Sequence, residues 1–193
     1  MKFCRAMIDV VVAGGQRGAD LGALRAAAAL RLETRGYMPR DFETEDGPAP
    51  HIAALYRLLQ SDGGYAVRDR QNVDIVGVDG DGAGLFLGFL LRLAPMGRGT
   101  QQTLAYALTG EYAMPPPSLF EPVEGADVAY VRDGEREVLV VWDLSAATLE
   151  AAAAAVRSRC EDKRVLFVNG PCESTRPGIE RLVQECVERA LAR

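Results

Sequence analysis

Apolar residues along the chain fall into two patterns. The runs "IDVVVA" (8–13), "LFLGFLL" (85–91), "VLVVWDL" (138–144) and "RVLFVNG" (164–170) are short and nearly unbroken, which predicts strands buried on both faces, as in the middle of a parallel sheet. Between them, apolar positions recur at helical spacing. Leu21, Leu24 and Ala28 predict a helix from Gly18 or Ala19 to Leu32, and "QQTLAYAL" predicts a second. Residues 145–160 predict a third, entered through Ser145 as N-cap. A last helix carries Ile179, Leu182, Val183, Cys186, Val187, Ala190 and Leu191 on one stripe, with Ser174 or Thr175 before it and Pro177 in its first turn. "HIAALYRLLQ" and "YAVRDRQNVDI" read as shorter helical segments. "TRGYMPRDFETEDGPAPH" (34–51) has no period and reads as a long irregular loop. Residues 110–137 hold a proline run and then a hairpin around Asp133-Gly134. Strand, glycine loop and helix in repetition predict an α/β domain with a mostly parallel sheet.

Composition adds limits. The 193 residues suit one domain, 1–193, and 48% are hydrophobic and 25% charged. No apolar run approaches the roughly 18–20 residues of a membrane span, and the start lacks a signal-peptide cleavage site, so a cytoplasmic protein with no membrane contact is expected. The net charge is −5 with scattered cations, which argues against a nucleic-acid partner. Cys4, Cys160, Cys172 and Cys186 form no paired motif and are expected as free thiols. With His51 the single histidine, a His/Cys metal site is not expected, and nothing places His51 beside Cys172 for thiol catalysis.

Ligands of parallel α/β sheets bind where strands end and helices begin, and three segments meet that description. In "AGGQRGAD", Gly14 and Gly15 allow close backbone approach, Arg17 adds a charge, and Asp20 stands ready to fix the loop or meet a ribose hydroxyl; the plain alternative is a strand-to-helix turn. In "GRGTQQT", Gly97, Arg98, Gly99 and Thr100 precede a helix with the N–H groups, hydroxyl and guanidinium that suit an oxyanion, against the alternative of a capped turn. In "NGPCESTRPG", Asn169, Glu173, Ser174 and Arg176 read more simply as capping chemistry. Arg40, Glu45, Asp46, Tyr65, Arg68, Arg70 and Asn72, in the middle of the chain, read first as a solvated face.

"GGQRGADLGAL", "RGYMPRDFETEDGP", "YAVRDRQNV", "GRGTQQTLAYA" and "VLFVNGPCESTRPGI", in that order, resemble the motifs of the putative molybdenum carrier family, within the SLOG superfamily that also holds the LOG-type phosphoribohydrolases. The resemblance covers residues 8–108 and 137–190 and implies a Rossmann-like three-layer α/β/α fold, with residues 110–136 as an inserted loop and hairpin. It implies ligand contacts at Gly14, Gly15, Gln16, Gly18 and Asp20, at Glu45, Asp46 and Gly47, at Arg68 and Asn72, at Gly99 and Thr100, and at Gly170, Pro171, Glu173 and Ser174. Arg17 replaces the family's usual threonine, Leu21 an arginine, and Arg98 the first of a glycine pair.

The expected function is a carrier or sensor of a phosphate-bearing nucleotide derivative, a pterin cofactor such as molybdopterin, or an oxyanion such as molybdate. The alternative is a nucleoside-monophosphate N-glycosidase. There, Gln102 and Thr103 fall where the LOG-type motif carries its acids, so Glu173, Glu45 or Asp46 has to supply the proton chemistry. A third expectation is an interaction protein with a decayed pocket, residues 110–136 serving as contact surface. A homo-oligomer is the expected assembly.

Overall fold

The computed structural model describes residues 8–78, 84–91, 97–120, 127–133 and 136–192. In chain order the first elements are β1 (Val10–Val12), α1 (Ala19–Ala29), β2 (Glu33–Arg35), β3 (Tyr37–Met38), β4 (Glu43–Thr44), β5 (Gly47–Pro48), α2 (Pro50–Tyr56) and β6 (Leu59–Gln60). They continue through α3 (Tyr65–Val78), β7 (Gly84–Phe89), α4 (Arg98–Thr109), β8 (Val128–Asp133), β9 (Arg136–Val141), α5 (Leu149–Arg159), β10 (Val165–Asn169) and α6 (Ile179–Leu191).

Six strands form one sheet in the order β2-β1-β10-β7-β9-β8, parallel except for β8, which pairs antiparallel with β9 at one edge. The strand period of two sorts its side chains into two cores. Val11, Leu166, Val168, Leu85, Leu87, Leu139 and Val141 face α1, α5 and α6. Val10, Val12, Val165, Phe167, Phe86, Val138 and Val140 face α3 and α4. The result is a three-layer α/β/α sandwich with a largely parallel sheet, and the unbroken apolar runs in the sequence are its doubly covered strands. On the first face α1 lies directly on α6. Ala19, Ala23 and Ala26 keep that contact thin, and Gly22 makes it possible, because a Cβ there would meet the Glu180 carbonyl at 2.3 Å.

Several expected boundaries shift for identifiable reasons. Helix α1 stops at Ala29 rather than Leu32 because Arg31 takes a left-handed φ of 59°. Helix α5 begins at Leu149, after a turn in which Thr148 Oγ1 accepts the Ser145 N–H at 2.9 Å and donates to the Asp143 carbonyl at 3.2 Å. Gly178, at φ 85°, opens α6 and leaves Pro177 outside it. The expected irregular loop at 34–51 is folded. It carries β3 and the β4–β5 hairpin, and with α2 closes a third core in which Met38 packs with Leu21, Leu24, Ile52 and Tyr56. The expected hairpin is formed by β8 and β9, paired antiparallel with Asp133 opposite Arg136, while its turn at 134–135 lies outside the described residues. The proline-rich segment before it packs inward, with Phe120 buried in the second core.

The order of the strands fixes where a ligand site belongs. Placing β10 and α6 ahead of β1 would number the parallel strands 3-2-1-4-5, the doubly wound order. The chain then diverges between β10, which leads to α6 on one face, and β7, which leads to α4 on the other. Ligands of such sheets bind beyond the carboxyl ends of that strand pair.

Candidate functional site

A cavity of about 230 Å³ opens at that divergence, with Asn169 and Gly170 from the end of β10, Gly97 and Thr100 from the start of α4, and Arg68 and Asp69 from α3 among its walls. Helix α3 sends Arg68, Asp69, Asn72, Val73 and Val76 inward. These positions form one helical face, polar at the strand ends and apolar over the sheet. Arg68 is 4% exposed, and its Nη1 lies 2.9 Å from Asp69 Oδ1 and 3.4 Å from Asp20 Oδ2. The guanidinium crosses Gly14, where a Cβ would come within 1.9 Å of Nη1. Burial lowers the pKa of this guanidinium, but Asp69 and Asp20 more than compensate, so it stays charged. Asp20 is buried as deeply. Desolvation, opposed by Arg68 and reinforced by Asp69, raises its pKa to about 6. Tyr112, from the segment after α4, donates its hydroxyl to Asp69 at 2.9 Å, and burial and Asp69 raise the phenol's pKa.

Two polar atoms in these walls lack partners. Arg68 Nε and Asn169 Oδ1 are buried and meet no hydrogen-bonding group among the described residues. Buried polar groups are nearly always paired, each orphan costing about 1–3 kcal/mol. Both orphans belong to residues that line the cavity.

The three loops before helices differ in what fills them. At α1, the Gly18 N–H faces Glu180 Oε2 at 3.4 Å and the Ala19 N–H donates to the Pro171 carbonyl at 3.1 Å. Gly18, at φ 108°, is also pressed against the Pro171 carbonyl. The Glu173 N–H donates back to the Arg17 carbonyl at 3.1 Å, strapping the first loop to the last. At α6, the Glu173 carboxylate accepts the N–H groups of Gly178 at 2.5 Å and Glu180 at 3.0 Å. At α4, no side chain caps Gly97, and the N–H groups of Arg98, Gly99 and Thr100 meet no partner among the described residues. Among the described residues nothing lies within 4 Å of a Cβ built on Gly99, and Gly97 has an ordinary φ of −59°.

The residues expected at a site therefore divide. Gln16, Asp20, Arg68, Gly97, Gly99, Thr100 and Gly170 line the cavity. Gln16 does so with its amide spent on the 43–45 backbone, Nε2 donating to the Glu43 carbonyl at 2.9 Å and Oε1 accepting from Glu45 N–H at 3.3 Å. Gly14 and Gly15 form the turn behind it, Gly15 at φ 77° against Met38 and Leu58. Arg17 pairs with Asp46 at 2.8 Å on the surface, Glu45 accepts the Ser174 hydroxyl, and Arg98 is exposed. Asn72 is fully buried, bracketing Tyr37: its Oδ1 accepts the Tyr37 N–H at 2.6 Å and its Nδ2 donates to the Tyr37 carbonyl at 3.1 Å. Sequence reasoning passed over Asp69, although its place beside Arg68 and three residues before Asn72 on one helical face was a readable signal. Cys172 lines the cavity as a protonated thiol, its pKa pushed up to about 11 by burial, then by Glu45 and Asp20. Cys160, Cys172 and Cys186 are free, and Cys4 lies outside the described residues. Among the described residues there is no metal-ligand cluster and no helix long and apolar enough to cross a membrane.

The doubly wound sheet and the cavity at its divergence define a Rossmann-like domain of the kind that binds small molecules. Residues 11–141 match the model of the circularly permutated YpsA SLOG family, and the chain belongs to that family. In the sheet, β10, last in the chain, occupies the first strand's place of the doubly wound order. A crystal structure described as a putative molybdenum carrier protein from Syntrophus aciditrophicus SB is similar over 96% of each chain, with a TM-score of 0.68 and 22% identity. No curated protein matches the chain.

Proposed function

We propose that the protein is a carrier or sensor that holds a phosphate-bearing small molecule, a nucleotide derivative or a pterin cofactor, in the cavity between β10 and β7. The observation that carries this reading is the start of α4. Among the described residues nothing accepts its first N–H groups, and none packs against the glycine at 99, whose backbone is ordinary helix. A helix N-terminus left open in this way favours an anion through its N–H groups and its dipole. A methyl group at position 99 meets none of the described residues and extends into the space the proposed ligand would occupy. Calorimetric titration with AMP, inorganic phosphate, a pterin phosphate and molybdate is the test. Binding of at least one, lost in Gly99→Ala while the variant stays folded, is the expected result; no heat from any of them counts against the reading.

A second reading rests on Asp20. A carboxyl that titrates near pH 6 within a cavity wall has the property a general acid needs for N-glycosidic cleavage. The other candidates are engaged, Glu173 on α6, Glu45 on Ser174 and Asp46 on Arg17. Release of free base from nucleoside monophosphates, abolished in Asp20→Asn and retained in Glu173→Gln, would establish this activity.

A further inference from the structure

Taking the cavity as an anion site, the reading on which this inference rests, we infer that an anion entering it loads a proton onto Asp20, so that the protein takes up its ligand together with a proton and releases both as pH rises. The geometry behind this is a shared cation. Asp20 and Asp69 both belong to the cavity wall, both are buried, and both pair with the single guanidinium of Arg68. With both acids ionised the cluster carries −1. An anion held at the start of α4 adds its charge across a cavity of about 230 Å³. That separation is roughly 10 Å or less, within about one Debye length, and the wall is buried, where salt screens least. Protonating one carboxyl brings the cluster to zero and removes the repulsion.

The distances decide which carboxyl takes the proton. Asp69 meets Arg68 Nη1 at 2.9 Å and accepts the Tyr112 hydroxyl at 2.9 Å, two close contacts that favour its ionised form. Asp20 has the same Nη1 only at 3.4 Å, with backbone N–H contacts from Gln16, at 3.4 Å, and from Gly14. Asp20 therefore gives up less when it is protonated. The other ionisable groups on the elements packed around it are already committed. Glu180 on α6 pairs with Arg25, and Glu45 accepts the Ser174 hydroxyl. Tyr65 on α3 and Cys172 after β10 both have raised pKa values and stay neutral. Burial has already lifted Asp20 to about 6. One further negative charge at that separation raises it by about one more unit.

The test is a proton inventory on the full chain by titration calorimetry. Sulfate, whose charge is fixed across the range, and AMP are titrated near pH 7 in pairs of buffers with different ionisation enthalpies. Wild type is expected to take up a fraction of a proton with each anion, and its sulfate affinity to fall by up to about tenfold between pH 5 and 8, the factor that one unit of pKa shift corresponds to. AMP brings a phosphate titration of its own, so for that probe the difference between wild type and Asp20→Asn isolates the proton on Asp20. In Asp20→Asn the uptake is expected to vanish for sulfate and shrink for AMP. The variant should also bind sulfate more tightly than wild type at pH 8, a gain that damage to the site would not produce. If the variant does not fold, the wild-type uptake and pH profile decide alone. Binding without proton uptake and with an affinity flat in pH, or uptake undiminished in Asp20→Asn, overturns the inference and leaves the cavity as an anion site. No binding of either probe at pH 5 or pH 8 removes the reading and the inference together.

Discussion

At Asp20 the fold buries a carboxyl whose nearest cation is shared with a second acid, and the consequence is measurable. Its pKa near 6 lies above the usual value of about 3.9, so between roughly pH 4 and 6 the folded protein keeps a proton that the unfolded chain has lost. The stability this proton supplies is present below pH 4 and disappears as pH rises through 6, a loss of up to about 3 kcal/mol. Asn at this position keeps the shape without the charge. Urea denaturation across pH 4–8 should show Asp20→Asn gaining on the wild type as pH rises; a difference that stays flat would mean the carboxyl titrates normally. Two glycines give a second residue-scale contrast. Ala at position 99 enters open space in a helix and is expected to raise stability by up to about 1 kcal/mol. Ala at position 14 strikes the pinned Arg68 guanidinium and is expected to cost about 1–3 kcal/mol. Thermal melting of the pair reads both signs, and equal effects would show that position 99 is packed like position 14.

Among the elements, α6 depends on a side chain five residues before its cap. Glu173 takes up two of the helix's free N–H groups, so Glu173→Ala is expected to destabilise the protein by about 1 kcal/mol. Glu173→Gln, which keeps an acceptor, should lose less, and denaturant midpoints decide between this and a catalytic part for the residue. The role shows how far the sequence could be read. Strands were legible because doubly covered strands leave continuous apolar runs, and α6 because its stripe from Ile179 to Leu191 is unbroken. The 34–51 segment was not, since β3, β4 and β5 have only two residues each and owe their shape to distant contacts, Met38 packing on Leu21 and Leu24 and Gln16 bonding the Glu43 carbonyl. For the candidate site, "GRGTQQT" could be read as a glycine loop entering a helix, and α4 does begin at Arg98. The double glycine of "AGGQRGAD" looked equally suited to an anion, because nothing local to it reveals that Glu180 and Pro171, about 150 residues away or more, already meet its N–H groups.

The order of strands in the whole molecule makes a demanding prediction. Helices α1 and α6 cover the same face, and stepping from β10 to β1 to β2 crosses the sheet in one direction, so a link from α6 to β1 would complete a crossover of the same hand as β1-α1-β2. The interactions that hold β10 in place do not depend on how it is joined. Its backbone pairs with β1 and β7, Leu166 and Val168 pack on one face and Val165 and Phe167 on the other. A circular permutant that joins the chain ends through a flexible linker and opens between the exposed residues Glu161 and Asp162 should therefore fold to the same structure. Its far-ultraviolet circular dichroism should superimpose on that of the parent, and AMP titration should return the same affinity. The opening leaves Asn169, Gly170 and the α4 start untouched, so retained folding with lost binding would show that the strap between Gly18 and Cys172 needs the native order of synthesis or connection. Failure to fold would place an essential constraint in the α5–β10 connection, where Lys163 is buried against Glu137 at 3.1 Å. If both fold and affinity survive, the cavity is a property of the assembled sheet rather than of the order in which its strands are threaded.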